Sequence, residues 1–173
     1  VTGSEMALHA RHWVKLGRAL RACHAFDLPA DLASRIPRET YAAMWREKVR
    51  GFLALVVEQS FADPVSADLA ALLRRQQPVI VELVRRAETL AATLSARRLP
   101  HVLCHADIHA GNVLIDAAGA LYIVDWETVT LAPKERDLMF PGGGLFGGWR
   151  SPREEEALFY AGYGAAPIDR DAL

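Results

Sequence analysis

His105, Asp107, His109 and Asn112 fall within eight residues in the stretch LCHADIHAGNVLID, residues 103–116. Asp107 and Asn112 are five apart with Gly111 between them, and glycine lets a backbone double back, so both side chains can point into one space. Two apolar runs follow, NVLID and ALYIVDW, separated by a Gly-containing turn, which predicts a β-hairpin. The hairpin would return Asp125, at the end of its second strand, to the mouth of the same loop. Two carboxylates and one amide oxygen would then converge there, and hard oxygen donors suit Mg²⁺. An Asp, an Asn five residues on and an Asp after a hairpin is the order used in phosphoryl transfer. There the first Asp accepts a hydroxyl proton, and the other two hold the metal that bridges nucleotide phosphates.

The same residues admit other readings. A polar turn can bond Asp and Asn to its own backbone. His105, Asp107, His109 and Asp125 suggest a metal-dependent hydrolase, although that leaves Asn112 idle and offers few imidazoles at metal-ligand spacing. A non-catalytic kinase-like binding protein would have no chemical need for Asp107, Asn112 and Asp125 together.

The loop needs a scaffold, and most of the chain before it reads as helix. Met6, His9, Trp13, Leu16, Leu20 and His24 recur at helical spacing, with Ser4 as a possible cap. After a Pro-containing loop, residues 40–59 form a second candidate, with Trp45, Val49, Phe52, Leu53 and Val56 on one stripe. A short helix over 66–75 is predicted next. Another starts at Pro78, a residue suited to a first helical turn, with Ile80, Leu83, Val84, Ala87, Leu90, Ala91 and Leu94 on its apolar face. From Pro100 the period shortens: HVLCH is β-like, the hairpin follows, and APKERDLMF reads as one short helix. In SPREEEALFYAGYG, Ser151 takes the N-cap, Pro152 N1 and Glu154 N3, a capping box. Asp169 reads as the cap of a further helix.

The expected fold class is therefore mainly α with a small β-hairpin (α+β), organised as one domain. Residues 1–99 are helical, 100–128 carry the polar loop and hairpin, and 129–173 hold short helices and a Gly-rich loop. The 173 residues suffice for a buried core, and 51% of them are apolar. A net charge of −1 gives no electrostatic reason to expect nucleic acid or an anionic membrane as partner. The longest apolar run, residues 52–57, is too short to span a bilayer. Cys23 and Cys104 have neither CxxC spacing nor a disulfide framework, which fits a reducing cytoplasm. No secretory leader pattern opens the chain, and the missing initiator Met suggests an incomplete one.

CHADIHAGNVLI…LYIVDWE resembles the aminoglycoside phosphotransferase family, which shows H-x-D-x-x-x-x-N and I-D-W at these places. LAPKERDLMF resembles the segment that follows them, and WVKLGRALRACHAFDLP resembles the family's helix after the lobe linker. Within the family the chain looks most like the spectinomycin-phosphotransferase branch. The resemblance implies a protein-kinase-like fold, of which this chain would be part of the C-terminal lobe. It implies Asp107 as catalytic base, and Asn112 and Asp125 as Mg²⁺ ligands that also hold ATP or GTP. His105 would keep the loop's shape, and Asp137 would accept hydrogen bonds from its amides. His109 and Glu127 would be supporting residues, Glu127 near the metal or its waters. The partner would be a small molecule with a hydroxyl to phosphorylate, for which aminoglycosides, aminocyclitols, macrolides, choline and homoserine are candidates.

No Gly-rich phosphate clamp and no Lys–Glu pair precedes Asp107, so the nucleotide-clamping β lobe is expected to be absent and the fragment inactive alone. Gly142, Gly144 and Gly147 match G-x-G-x-x-G but follow a helical segment and Pro141, which is the wrong context for a dinucleotide site, so a loop is expected. Glu154, Glu155 and Glu156 suit a helix first turn, or else attract a cationic acceptor. His24 and His101 are expected to pack or to lie at the surface, and Cys104 and the tryptophans Trp45, Trp126 and Trp149 to pack, with Trp126 also a candidate wall of the nucleotide pocket.

Overall fold

The apolar repeat at the start of the chain forms α1, Ala10–His24, whose buried face carries His12, Trp13, Leu16, Gly17, Leu20 and His24. The structure, a computed structural model, describes residues 9–143 and 150–173. Ser4, Met6, Gly144, Gly147 and Trp149 lie outside those residues. After α1 the chain makes a single turn of helix, α2 (Ala30–Ala33), introduced by Pro29. The chain divides into two compact units, Val1–Glu39 with Leu99–Leu173, and Thr40–Arg98.

The second unit is a helical hairpin of α3 (Met44–Glu58) and α4 (Pro64–Ala96). The sequence predicted a helix over 66–75 and another from Pro78. Instead α4 runs unbroken for 33 residues with Pro78 inside it. Asp63 caps it by accepting the Ser66 N–H at 2.8 Å, and Pro64 takes N1, so the true start signal lies two residues before the predicted one. Pro78 cannot donate to the Arg74 carbonyl. The Arg74 side chain instead reaches back to α3, donating to the Val56 and Gln59 carbonyls at 2.6 and 2.9 Å. Arg50 and Glu88 pair across the two helices at 2.5 Å. The expected apolar stripes are only partly buried. Leu53, Val56, Val84, Ala91 and Leu94 are inside, whereas Trp45, Phe52, Leu83 and Leu90 are exposed. Two helices packed on each other cover one narrow seam, and residues at the flanks of a wider stripe stay outside.

The first unit holds the strands and the polar loop. β1 (Val102–Cys104) pairs antiparallel with β4 (Thr130–Ala132), and β2 (Val113–Ile115) pairs antiparallel with β3 (Leu121–Ile123). The β2–β3 pair is the expected hairpin, and Gly119 at φ 78° supplies its left-handed turn position. β4 was not expected: three residues show no readable period, and their partner is 28 residues away. Residues 37–39 run along β4's other edge, where Leu131 N–H donates to the Pro37 carbonyl and Glu39 N–H to the Leu131 carbonyl. The fold is thus mainly α with two small antiparallel sheets.

α5 (Glu135–Leu138) and α6 (Pro152–Tyr163) complete the unit. The capping box of α6 forms: Glu154 N–H donates to Ser151 Oγ and Ser151 N–H to Glu154 Oε2. Glu155, the next residue, is buried, so the acidic run is not one solvated surface. The core joins Trp13, Leu16 and Leu20 of α1 to Phe159 and Tyr163 of α6, with Val113 and Ile115 of the hairpin. α1 and α6 approach through two glycines. A Cβ on Gly17 would overlap the Phe159 carbonyl oxygen, and one on Gly162 the Val14 carbonyl oxygen. Pro141–Gly143 form a turn with Gly142 at φ 78°. Among the described residues no helix is long and apolar enough to cross a membrane.

Candidate active site

The polar loop begins where β1 ends, and a buried carboxylate holds it. Asp137, on α5 and fully buried, accepts the His105 N–H at 2.9 Å and the Ala106 N–H at 2.7 Å. Ala106 sits at φ 67°, a conformation that costs a non-glycine residue roughly 1 kcal/mol. The Asp137 bond holds it there. A third hydrogen bond to Asp137 comes from His24 Nε2 at 3.0 Å, and His24 Nδ1 meets the Tyr163 hydroxyl at 2.7 Å. A carboxylate only accepts, so Nε2 carries the proton and Nδ1 accepts from the phenol. His24 therefore does more than pack. Its signal was a histidine in line with the apolar stripe of Trp13, Leu16 and Leu20. Burial pushes the Tyr163 phenol up to about 12.

His105 ties the loop to the hairpin. Its Nδ1 accepts the Asp107 N–H at 3.3 Å, so its Nε2 donates to the Val124 carbonyl, 2.8 Å away. Thr128 Oγ1 donates to the His105 carbonyl at 2.9 Å, and the Trp126 ring stands edge-on to the imidazole at 4.7 Å. Trp126 Nε1 donates to the Ile123 carbonyl, so this indole is built into the loop.

A 3-10 turn, Ala110–Asn112, then brings Asn112 back over Asp107. Asn112 Nδ2 donates to the Asp107 carbonyl at 2.9 Å and to its Oδ2 at 3.3 Å. His109 Nδ1 accepts the Gly111 N–H, which leaves its Nε2 proton facing Asp107 Oδ2 at 3.5 Å. The Asp107 side chain is 44% exposed, open to a ligand, while Asn112 is buried. The Asn112 carbonyl accepts the Val124 N–H at 3.0 Å, extending the hairpin one pair past Val113 and Ile123. This pairing brings Val124, the residue before Asp125, onto Asn112. Asp125 adopts φ 66° and ψ 59° and turns the chain out of the strand.

Asp107 also lines an open cleft with Ala106, Glu127, Thr128, Arg38 and Arg136. The sequence reading missed Arg38 and Arg136, because the pairings of β4 with β1 and with residues 37–39 are long-range. The donor set fits a hard cation. Asn112 has its nitrogen committed to Asp107, and among the described residues nothing bonds its Oδ1. The hydrolase reading has no such support. Among the described residues, the one trio of His, Cys or carboxylate ligand atoms within 4.8 Å of one another is His24, Cys104 and Asp137. All three are buried, and each is already hydrogen-bonded. Burial and the nearby Asp137 charge push the Cys104 thiol far up, so it is no nucleophile.

Residues 3–173 match the model of the phosphotransferase enzyme family. The chain belongs to that family. Comparison with curated proteins finds no match. Among solved structures, spectinomycin phosphotransferase APH(9)-Ia in complex with ADP and spectinomycin is similar over 99% of this chain and 52% of its own, at 36% identity and TM-score 0.87. The same enzyme in an AMP-bound complex is similar over 98% and 54%, at 36% identity and TM-score 0.86. An ethanolamine kinase from Plasmodium vivax shares the fold at 16% identity and TM-score 0.56, over 90% of this chain and 44% of its own. The chain thus spans about half the length of these family structures.

Proposed function

We propose that the complete protein is an ATP- or GTP-dependent O-phosphotransferase that acts on a hydroxyl of an aminoglycoside or aminocyclitol antibiotic in the cytoplasm. This chain would be part of its C-terminal, mainly helical lobe, with the catalytic loop and hairpin in 100–128 flanked by helical segments 1–99 and 129–173. The observation that carries the reading is the closure of the Asn112 amide on Asp107. The backbone pairing of Asn112 with Val124, one residue before Asp125, supports a role for Asp125 at the same site. The 36% identity to a phosphotransferase crystallised with ADP and spectinomycin supports both nucleotide and acceptor class.

In this reading Asp107 receives the acceptor's hydroxyl proton as that oxygen attacks the terminal phosphoryl group. Asn112 Nδ2 and His109 Nε2 orient its Oδ2, and His105 and Asp137 hold the loop beneath it. Asn112 and Asp125 would hold Mg²⁺, which neutralises phosphate charge. Glu127 would stand at the metal's edge. Positioning and charge stabilisation dominate phosphoryl transfer, so the chain alone would be a poor catalyst.

The test is Mg²⁺- and nucleotide-dependent phosphate transfer by the full-length protein to an acceptor panel that includes spectinomycin. We expect turnover on one acceptor, lowered by about 10²- to 10⁴-fold in Asp107→Asn, the range for a lost general base. Turnover that survives Asp107→Asn overturns the base assignment. Nucleotide binding without turnover on any acceptor turns the reading to a binding protein, and no nucleotide binding removes it.

A further inference from the structure

The N-terminal end of α1 carries the wrong charge for its position. A helix start bears a partial positive charge and favours acids or a capping oxygen. Here the cap residue, His9, makes no capping hydrogen bond and the first turn holds no acid. Arg11, His12 and Lys15 crowd the end instead. With His9 they line a cavity of about 390 Å³, closed on the other side by the hairpin turn from Asp116 to Gly119. That size is within the range of small-molecule pockets. The one acid among its described lining residues, Asp116, has both oxygens engaged within the hairpin, with the Ala120 N–H at 2.8 Å and the Tyr122 hydroxyl at 3.2 Å. Lys15 Nζ reaches across to the Gly119 carbonyl at 2.5 Å.

His12 gives the independent sign of a ligand. It lines the cavity and is 2% exposed. Its Nε2 accepts the Arg11 Nε–H at 3.2 Å, so its proton sits on Nδ1, and among the described residues Nδ1 has no hydrogen-bond partner. A buried donor with no acceptor is costly and rare. An orphan N–H, a guanidinium, an ammonium and a bare helix start all ask for negatively charged acceptor oxygens. Donors of differing geometry lining one cavity suit a tetrahedral oxyanion.

We propose that this cavity binds a phosphate group, through Arg11, His12, Lys15 and the α1 N-terminus. The site lies at the turn end of the β2–β3 hairpin, whose opposite end carries Asn112 and Asp125, so it is separate from the catalytic loop. It stands whether or not the phosphotransferase reading does. At present burial, Arg11, His9 and Lys15 hold the His12 imidazole below its ordinary range. A bound dianion reverses those charge effects.

The experiment is an NMR titration of the protein with inorganic phosphate and, in parallel, with glycerol phosphate, following the His12 ring. We expect saturable shifts and an upward move of the His12 pKa. Lys15→Gln and Arg11→Gln change exposed side chains, so folding is not at stake. Each should weaken binding about tenfold, the loss of one charge-assisted hydrogen bond. Asp107→Asn should leave binding unchanged. Tighter binding of the ester identifies a phosphorylated metabolite as ligand, and equal binding identifies free phosphate. No saturable shift at His12 overturns the proposal. So does binding lost in Asp107→Asn and kept in Lys15→Gln, since the phosphate would then sit in the catalytic cleft.

Discussion

Asp137 has no exposed surface and accepts three hydrogen bonds, from the His105 and Ala106 amides and from His24. Replacing it with Asn keeps the shape and removes one acceptor, so an N–H₂ group must face one of three donors. Leaving a buried hydrogen-bonding group unsatisfied costs about 1–3 kcal/mol. We expect Asp137→Asn to lower the urea midpoint accordingly, and Asp137→Ala to lower it at least as far. An unchanged midpoint would show that the loop does not depend on this carboxylate. Of this arrangement the spacing showed the loop, and the family resemblance implied that Asp137 accepts hydrogen bonds from its amides, as the His105 and Ala106 bonds do; the His24 bond was in neither. Asp107 and Asn112 are linked by one local turn, and a tight hairpin pairs Val124, the residue before Asp125, with Asn112, so spacing alone made these meetings readable. Asp137 and His24 meet across 113 residues, and no local pattern records that meeting.

Elements show the same division. The α6 capping box was readable because Ser151, Pro152 and Glu154 act within one turn. The continuity of α4 was not, because propensity alone breaks a helix at Pro78. The seam against α3 and the Arg74 bonds to α3's last carbonyls support the helix through it. Pro78→Ala restores a backbone donor to the Arg74 carbonyl and should stabilise the chain by ~1–3 kcal/mol, within the cost of an interior proline. A thermal melt checks this, and a lower Tm would mean that the proline fits a bend the packing needs. Gly162→Ala should do the reverse. Its Cβ would overlap backbone on α1, which cannot yield as a flexible side chain does. Overpacking of this kind costs at least 1–3 kcal/mol, and a Tm unchanged by Gly162→Ala would contradict the close α1–α6 approach.

Over the whole molecule, buried titratable groups set a pH window for folding. His12 and His101 have pKa values held below 6.5, each chiefly by burial. Their unfolded forms bind protons more readily, so stability falls as pH drops through about 6.5. Tyr163, raised to about 12, and Cys104 are held neutral, chiefly by burial. The unfolded chain releases those protons first, so stability also falls as pH rises above the ordinary thiol and phenol ranges. Glu155, raised by burial, opposes the acid-side trend. Urea midpoints across pH 5 to 11 should therefore pass through a maximum near neutrality, and His12→Asn should flatten the acid limb. A midpoint constant from neutrality to pH 11 would show that Tyr163 and Cys104 reach solvent.

The sequence by itself determined what local chemistry can specify: the residue types of the loop, the hairpin that returns Asp125 to it, the α6 cap and, through those spacings, the family. Each depends on residues within a turn or two of one another, where backbone geometry leaves few alternatives. Tertiary structure decided which helix ignores its proline, where β4 pairs, and which half of each apolar stripe is inside. It also decided that a histidine in an apolar stripe supports the polar loop, while the Nδ1 of another, His12, has no partner among the described residues. Those outcomes follow from burial and from partners far along the chain, and burial is a property of the assembled core.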